Sequence, residues 1–277
     1  MRQSIIRIAP FFLFTLTAIC VLQADPNCDA KQFKGSYTLL ASGNIPLSPI
    51  PPLNGPFGRV GLWAADGNGS LHVQTTASYN GIIFPETFDG TYGVTGDCVV
   101  TMNVFVPLPD TPPGFLLPVT LQGVLSDGGR SVTAMLVSPQ GTVIHGNLRR
   151  RDNDNCSSAG IAARLASGAY VVELSGAIIN QPPNFAGPFT RVGSVSFDRN
   201  GGFTANTNAS YGGAIFPEGF SGTYSVDASC NITMNYSLGQ PYTWQGPLTD
   251  DGSGADLMVT SPPGAAVVGT LTRSRHD

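Results

Sequence analysis

Charge is what this sequence has least of. Of its 277 residues only 12% are Asp, Glu, Lys or Arg, against 42% hydrophobic, and glutamate and histidine occur three times each. So little charge beside so much apolar content excludes a disordered chain. Glycine and proline are plentiful, 34 and 22, but follow no three-residue period, which excludes a collagen-like one. The one basic run, Arg149-Arg150-Arg151, leads straight into Asp152 and Asp154, so no nucleic-acid-binding surface is expected. Cys/His groups at metal-ligand spacing, P-loops, dinucleotide fingerprints and Gly-x-Ser-x-Gly elbows are all missing. Neither a metal nor a cofactor is therefore expected, and no catalytic residue is assigned. Asp66-Gly67-Asn68-Gly69 lacks the alternating acids of a calcium loop and reads as a hairpin turn.

Long apolar stretches are confined to the N-terminus. Arg2 and Arg7 flank the start of an uncharged run from Ile8 to Leu22, interrupted by Pro10, and Ala24 offers a small residue before Asp25. That run is shorter than the roughly 20 residues a spanning helix needs. Residues 1–24 read as a cleaved signal peptide, and the mature chain is expected to be secreted, extracellular or periplasmic, with no membrane span. Its removal leaves 12 Lys/Arg against 18 Asp/Glu and four of the five cysteines: Cys28, Cys98, Cys156 and Cys230. An even count in a secreted chain is the setting in which disulfides persist.

The chain is internally duplicated. Residues 55–104 align without a gap on 187–236 at an offset of 132, with 27 of 50 positions identical. Met135 then matches Met258 at an offset of 123, so the first copy carries about nine extra residues, placed in the proline-rich stretch Pro107 to Pro118. Cys28 and Cys156 open the two copies, while Cys98 and Cys230 are equivalent. The economical pairing is Cys28 with Cys98 and Cys156 with Cys230, one staple per copy. The expected organisation is a first repeat over 28–150, a linker over 151–160 and a second repeat over 161–277.

Period-two alternation recurs throughout, broken by Gly, Pro, Asn and Asp, and helical periodicity is absent. In the first copy the expected strands are 34–43, 57–65, 69–79, 88–95, 98–106, 117–125, 131–138 and 142–150. Eight hairpin-linked strands in so short a unit predict an all-β fold of two tandem eight-stranded antiparallel barrels, with two β-sandwiches as the alternative. Alternation also assigns faces. Tyr37, Leu39 and Ala41 point inward with Tyr170, Val172 and Leu174, as do Phe57, Arg59, Gly61 and Trp63 with Phe189, Arg191, Gly193 and Val195.

That places an arginine on the apolar face in both copies, where it needs a partner. Two of the three glutamates, Glu86 and Glu218, are repeat-equivalent and precede the Gly-Thr-Tyr strand. Arg59 is expected to pair with Glu86 and Arg191 with Glu218 near one barrel end, close to Tyr92 and Tyr224. Such pairs are expected first to plug the barrel end and fix register, and second to orient a ligand. The apolar loops around Pro46 to Leu53 and Pro107 to Pro118 cannot continue a sheet. They are expected to make packing contacts in preference to covering a pocket mouth.

The order Gly-x-Tyr, Val-Gly before Asp-x-Asn-Gly, Gly-Thr-Tyr-x-Val, then Cys with x-x-Thr-x-Asn resembles the repeats of secreted bacterial proteins similar to the allene oxide cyclase barrel. The likeness covers about 33–150 and 165–273 and implies an eight-stranded barrel. That cyclase's active-site residues find no position-by-position match, so the resemblance implies no catalysis. The expected role is a binding module for a small apolar ligand or a surface partner. The alternatives are a structural, envelope-associated protein and a cyclase or isomerase with Glu86 or Glu218 as acid.

Overall fold

The computed structural model describes residues 28–46, 50–152, 158–180, 185–249 and 252–274. The first copy forms β1 (Lys34–Ile45), β2 (Gly55–Asp66), β3 (Ser70–Tyr79), β4 (Ile82–Val94), β5 (Val99–Pro107), β6 (Leu116–Ser126), β7 (Ser131–Ser138) and β8 (Val143–Arg151). The second forms β9 (Ala169–Ile178), β10 (Gly187–Phe197), β11 (Gly202–Tyr211), β12 (Ala214–Val226), β13 (Asn231–Ser237), β14 (Pro241–Pro247), β15 (Gly254–Ser261) and β16 (Ala265–Arg273). Each set of eight closes on itself as an antiparallel barrel, β1 pairing with both β2 and β8, and β9 with both β10 and β16. The chain is thus an all-β pair of tandem barrels. The signal-peptide reading falls on residues outside those described.

The registers obey the inferred parity. Tyr37 lies opposite Trp63 and Leu39 opposite Gly61, while Tyr170 lies opposite Val195. Each barrel buries one tryptophan, but from different walls. Trp63 on β2 corresponds to Val195, and Trp244 on β14 corresponds to Leu121, so large and small side chains trade places between copies. Asp66 and Asp198 shape equivalent turns: each carboxylate accepts two backbone N–H bonds, from Asn68 and Ser70 at 2.7 and 2.9 Å, and from Asn200 and Gly202 at 2.7 and 2.8 Å. The Asp-Gly-Asn-Gly segment is accordingly a hairpin turn between β2 and β3, with Gly67 in the left-handed region at φ 84°.

Three expectations change. β4 begins at Ile82 rather than at residue 88, so Glu86 lies inside the strand. Its first half is paired with β3 alone, since pairing with β5 starts at Gly90, and an edge of this kind tolerates Pro85. The linker and the start of the second copy contain a short helix, α1 (Ser158–Leu165), where helical pattern had been judged absent. Ile161 and Leu165, four apart and so on one helical face, are buried in the second barrel's core. Phe33, just before β1, is fully buried at the equivalent end of the first barrel, 5.0 Å edge-on from Tyr92.

The proline-rich loops also differ from expectation. Leu53, in a short 3₁₀ turn (Pro51–Leu53), and Leu108 are buried over the mouth of the first barrel, beside Ile45, Val106 and Leu117. Their described residues close a barrel end.

The two barrels meet through an apolar joint. Outward-facing Val60 of the first barrel packs with Met258 and Val268 of the second, joined by Leu40 and Ile83. Ser78 Oγ donates to Ala265 O at 2.8 Å, and Gly264 N donates to Gly81 O at 2.8 Å. Asp256 is buried in the same joint. Burial pushes its carboxyl up, while the Thr38 hydroxyl and the Arg149 guanidinium pull it part of the way back. An acid with a raised folded-state pKa contributes stability below the ordinary carboxylate range and loses it as pH climbs through the raised value. Asp256→Asn should therefore raise the unfolding temperature at neutral pH and leave it nearly unchanged in acid. Thermal melts across pH check this, and an equal gain at every pH would rule out the titration of Asp256 as its cause.

Candidate functional site

The inward arginines and the glutamates come together in both barrels. In the first, Arg59 Nη2 lies 3.1 and 2.8 Å from the two Glu86 carboxylate oxygens. It also donates to Tyr79 Oη at 2.8 Å, and Tyr79 Oη donates in turn to Glu86 Oε1 at 2.5 Å. Thr75 Oγ1 donates to Glu86 Oε2 at 3.1 Å. The Glu86 side chain has no solvent exposure. In the second barrel, Arg191 Nη2 meets Glu218 Oε2 at 2.5 Å and Tyr211 Oη at 3.0 Å, and Tyr211 Oη donates to Glu218 Oε1 at 2.9 Å. Arg191 Nη1 donates to Tyr236 Oη at 2.8 Å.

Register explains why the groups converge. Glu86 is opposite Thr75, Ala77 is opposite Arg59, and Tyr79 follows two residues later on the same inward face of β3. The second barrel repeats this with Thr207, Ala209 and Tyr211. Burial alone would lower each arginine's pKa, but the neighbouring carboxylate and phenols outweigh it and both end above the usual value. Burial lifts the partner tyrosines well above the usual phenol range, and Tyr236 to about 12. Aromatic faces complete the boxes. Arg59 lies over Phe57 and Phe88, and Arg191 over Phe189, Phe220 and Trp244, at 5.2 to 5.7 Å from the ring centroids.

Tyr92 and Tyr224, expected beside these pairs, are not there. Tyr92 Oη donates to Phe33 O at 2.8 Å, and Tyr224 Oη to Asp198 O at 2.7 Å. Both stand six residues along the strand from the glutamate, at the opposite barrel end. Their place in the cluster is taken by Tyr79 and Tyr211, which are also repeat-identical and inward by parity. Cys28 and Cys98 form a disulfide with Cα atoms 5.0 Å apart. Cys230 is disulfide-bonded, and its expected partner Cys156 lies outside the described residues.

The barrels differ in what lies above the cluster. In the first, aliphatic side chains and the loops carrying Leu53 and Leu108 leave a pocket of about 140 Å³. In the second, a pocket of about 520 Å³ opens above Arg191, Glu218, Tyr211 and Tyr236, walled by Phe185, Phe189, Phe216, Val259 and Val267. One cause is loop length. β5 and β6 are joined by residues 108–115, but β13 and β14 by 238–240, too short to cover the mouth. A second cause is wall chemistry. The facing pair Val104 and Val119 becomes Tyr236 and Tyr242, whose rings stack at 5.2 Å with an interplanar angle of 14°.

Arg191 is already neutralised by Glu218. Tyr236 Oη accepts from Arg191, while its own proton goes to no protein atom among the described residues. The pocket therefore offers apolar walls, stacked aromatic rings and an unspent hydroxyl donor. No family model matches the chain, and no curated protein matches it in sequence.

Proposed function

We propose that the protein is a binding module whose second barrel takes up one small, largely apolar, uncharged molecule bearing a hydrogen-bond acceptor such as a carbonyl oxygen. The observation that carries this reading is the pocket of about 520 Å³ over a closed Arg191–Glu218 pair, within the size range of small-molecule sites. A ligand carboxylate would bring a second negative charge beside Glu218 without a free cation to answer it, which disfavours fatty-acid-like anions. A carbonyl oxygen accepting from Tyr236 would complete that hydroxyl's bonding, with flat apolar parts against Tyr242, Phe185 and Phe216. The first barrel, whose pocket of about 140 Å³ is too small for such a ligand, serves as scaffold.

Calorimetric titration of the full chain with benzophenone and with benzoate tests the proposal. Benzophenone is expected to bind at one site per chain and benzoate at least tenfold more weakly. Val259→Trp, which fills the pocket, should abolish uptake, and Tyr236→Phe should weaken it by about three- to tenfold, the value of one hydrogen bond. Binding that survives Val259→Trp, or a preference for the carboxylate, would overturn the reading.

A further inference from the structure

The joint between the barrels is asymmetric, and that asymmetry leaves each half of it unused once. The first barrel contributes its β1–β2 face with the β3–β4 hairpin, and the second contributes its β15–β16 face. By the internal alignment, the second barrel also owns a β1–β2-type face, on β9 and β10. The first barrel owns a β15–β16-type face, on β7 and β8. Both are bare. Val192, equivalent to the buried Val60, is 50% exposed, and Ile215, equivalent to Ile83, is 73% exposed. Met135, equivalent to the fully buried Met258, is 57% exposed, with Val143 beside it at 69%.

The backbone features of the joint are duplicated too. Ser78 and Gly81 correspond to Ser210 and Gly213, and Gly264 to Gly141, which keeps the same left-handed conformation. A Cβ built on Gly81 would sit 2.6 Å from Gly264, whereas one on Gly213 meets nothing within 4 Å. The backbone elements of the joint are therefore repeated on faces that no described residue occupies.

We infer that the chain associates head to tail with a second copy of itself, the β7–β8 face of one molecule docking on the β9–β10 face of the next with the same strands facing each other as in the internal joint. The side chains that differ between copies fit this partner. Where the internal joint clusters Leu40 with Val268, the free faces carry Glu173 and His145, so an apolar contact is replaced by an acid facing an imidazole. Thr133 stands in place of the buried Asp256, which removes the joint's desolvated carboxylate. A Cβ built on Gly58 would sit 2.7 Å from the Val268 side chain, and Thr190 and His145 stand at the equivalent places, so the intermolecular contact has to be wider and more polar than the internal one. Because the two faces are different surfaces, the contact is heterologous and builds a ring or an open chain of molecules rather than an isologous dimer.

Sedimentation equilibrium of the full chain over a concentration series tests this. The average mass should rise beyond one chain, and Met135→Asp or Val192→Asp, both at exposed sites, should each return it to a single chain with unchanged circular dichroism. His145→Glu should do the same by like-charge repulsion, and adding Glu173→Lys should restore association. Oxidation of a Val192→Cys, Met135→Cys double variant should give a ladder of linked chains, with little linking in either single variant. A single-chain mass at every concentration, an assembly indifferent to Met135→Asp and Val192→Asp, or efficient linking by one cysteine alone would overturn the inference.

Discussion

Glu86→Ala should destabilise the protein by about 3–5 kcal/mol, the cost of leaving a buried charge without its partner. The Glu86 carboxylate accepts from Arg59, Tyr79 and Thr75 and is sealed from solvent, and the pocket beside Arg59 holds only about 140 Å³ lined mostly by apolar groups. Truncation leaves Arg59 with the Tyr79 oxygen as its remaining recorded acceptor. Glu218→Ala should cost less, about 1–3 kcal/mol, because Arg191 keeps two tyrosine oxygens and borders a pocket wide enough for water. Replacing both partners, Arg59→Met with Glu86→Leu, should recover part of the loss, since an apolar pair removes the unpaired charge but leaves the Tyr79 and Thr75 hydroxyls without the carboxylate they donate to. Urea unfolding followed by circular dichroism separates these cases, and equal losses for Glu86→Ala and Glu218→Ala would show that the two clusters share one environment.

That contrast marks where the sequence was legible. Duplication let each strand be checked against its copy, so parity placed Arg59 and Arg191 inside the barrels, and the need of a buried charge for a partner, with the rarity and recurrence of Glu86 and Glu218, joined each arginine to its acid. Tyr79 and Tyr211 could have been added by carrying the same parity along β3 and β11. The tyrosines chosen instead, Tyr92 and Tyr224, are inward but lie six residues beyond the glutamates, and a strand advances about 3.3 Å per residue. α1 was hidden by its brevity, with one turn between Ile161 and Leu165 as its whole periodic signal. Tyr236 was missed for a different reason. A search for residues that recur finds the frame common to both copies and passes over positions where the copies differ. The pocket owes its character to such positions: Tyr236 and Tyr242 in place of valines, and a β13–β14 connection shortened at the mouth. Loop lengths were visible in the alignment, but which barrel end they would cover depends on closure of all eight strands.

The other large effect is expected at the end of the first barrel away from its loops. Cys28 belongs to the segment that carries Phe33 into the barrel, and Cys98 lies in the turn before β5. Phe33 is fully buried, 4.8 Å from the Tyr37 ring and 5.0 Å from that of Tyr92, and its carbonyl accepts the Tyr92 hydroxyl. The disulfide spans 70 residues of sequence, so it closes a loop containing β1 to β4 and ties the plugging segment to the far side of that end. Closing such a loop removes denatured-chain entropy worth about 4 kcal/mol. Replacing both cysteines by serine should lower stability by about that amount, read by urea unfolding of the full chain. The loss should concentrate locally. Hydrogen exchange should accelerate most at Phe33 and at the start of β1, while the Arg191 cluster and its pocket keep their protection. A uniform loss of protection across both barrels would instead mean that the two unfold as one cooperative unit through the Val60–Met258 joint.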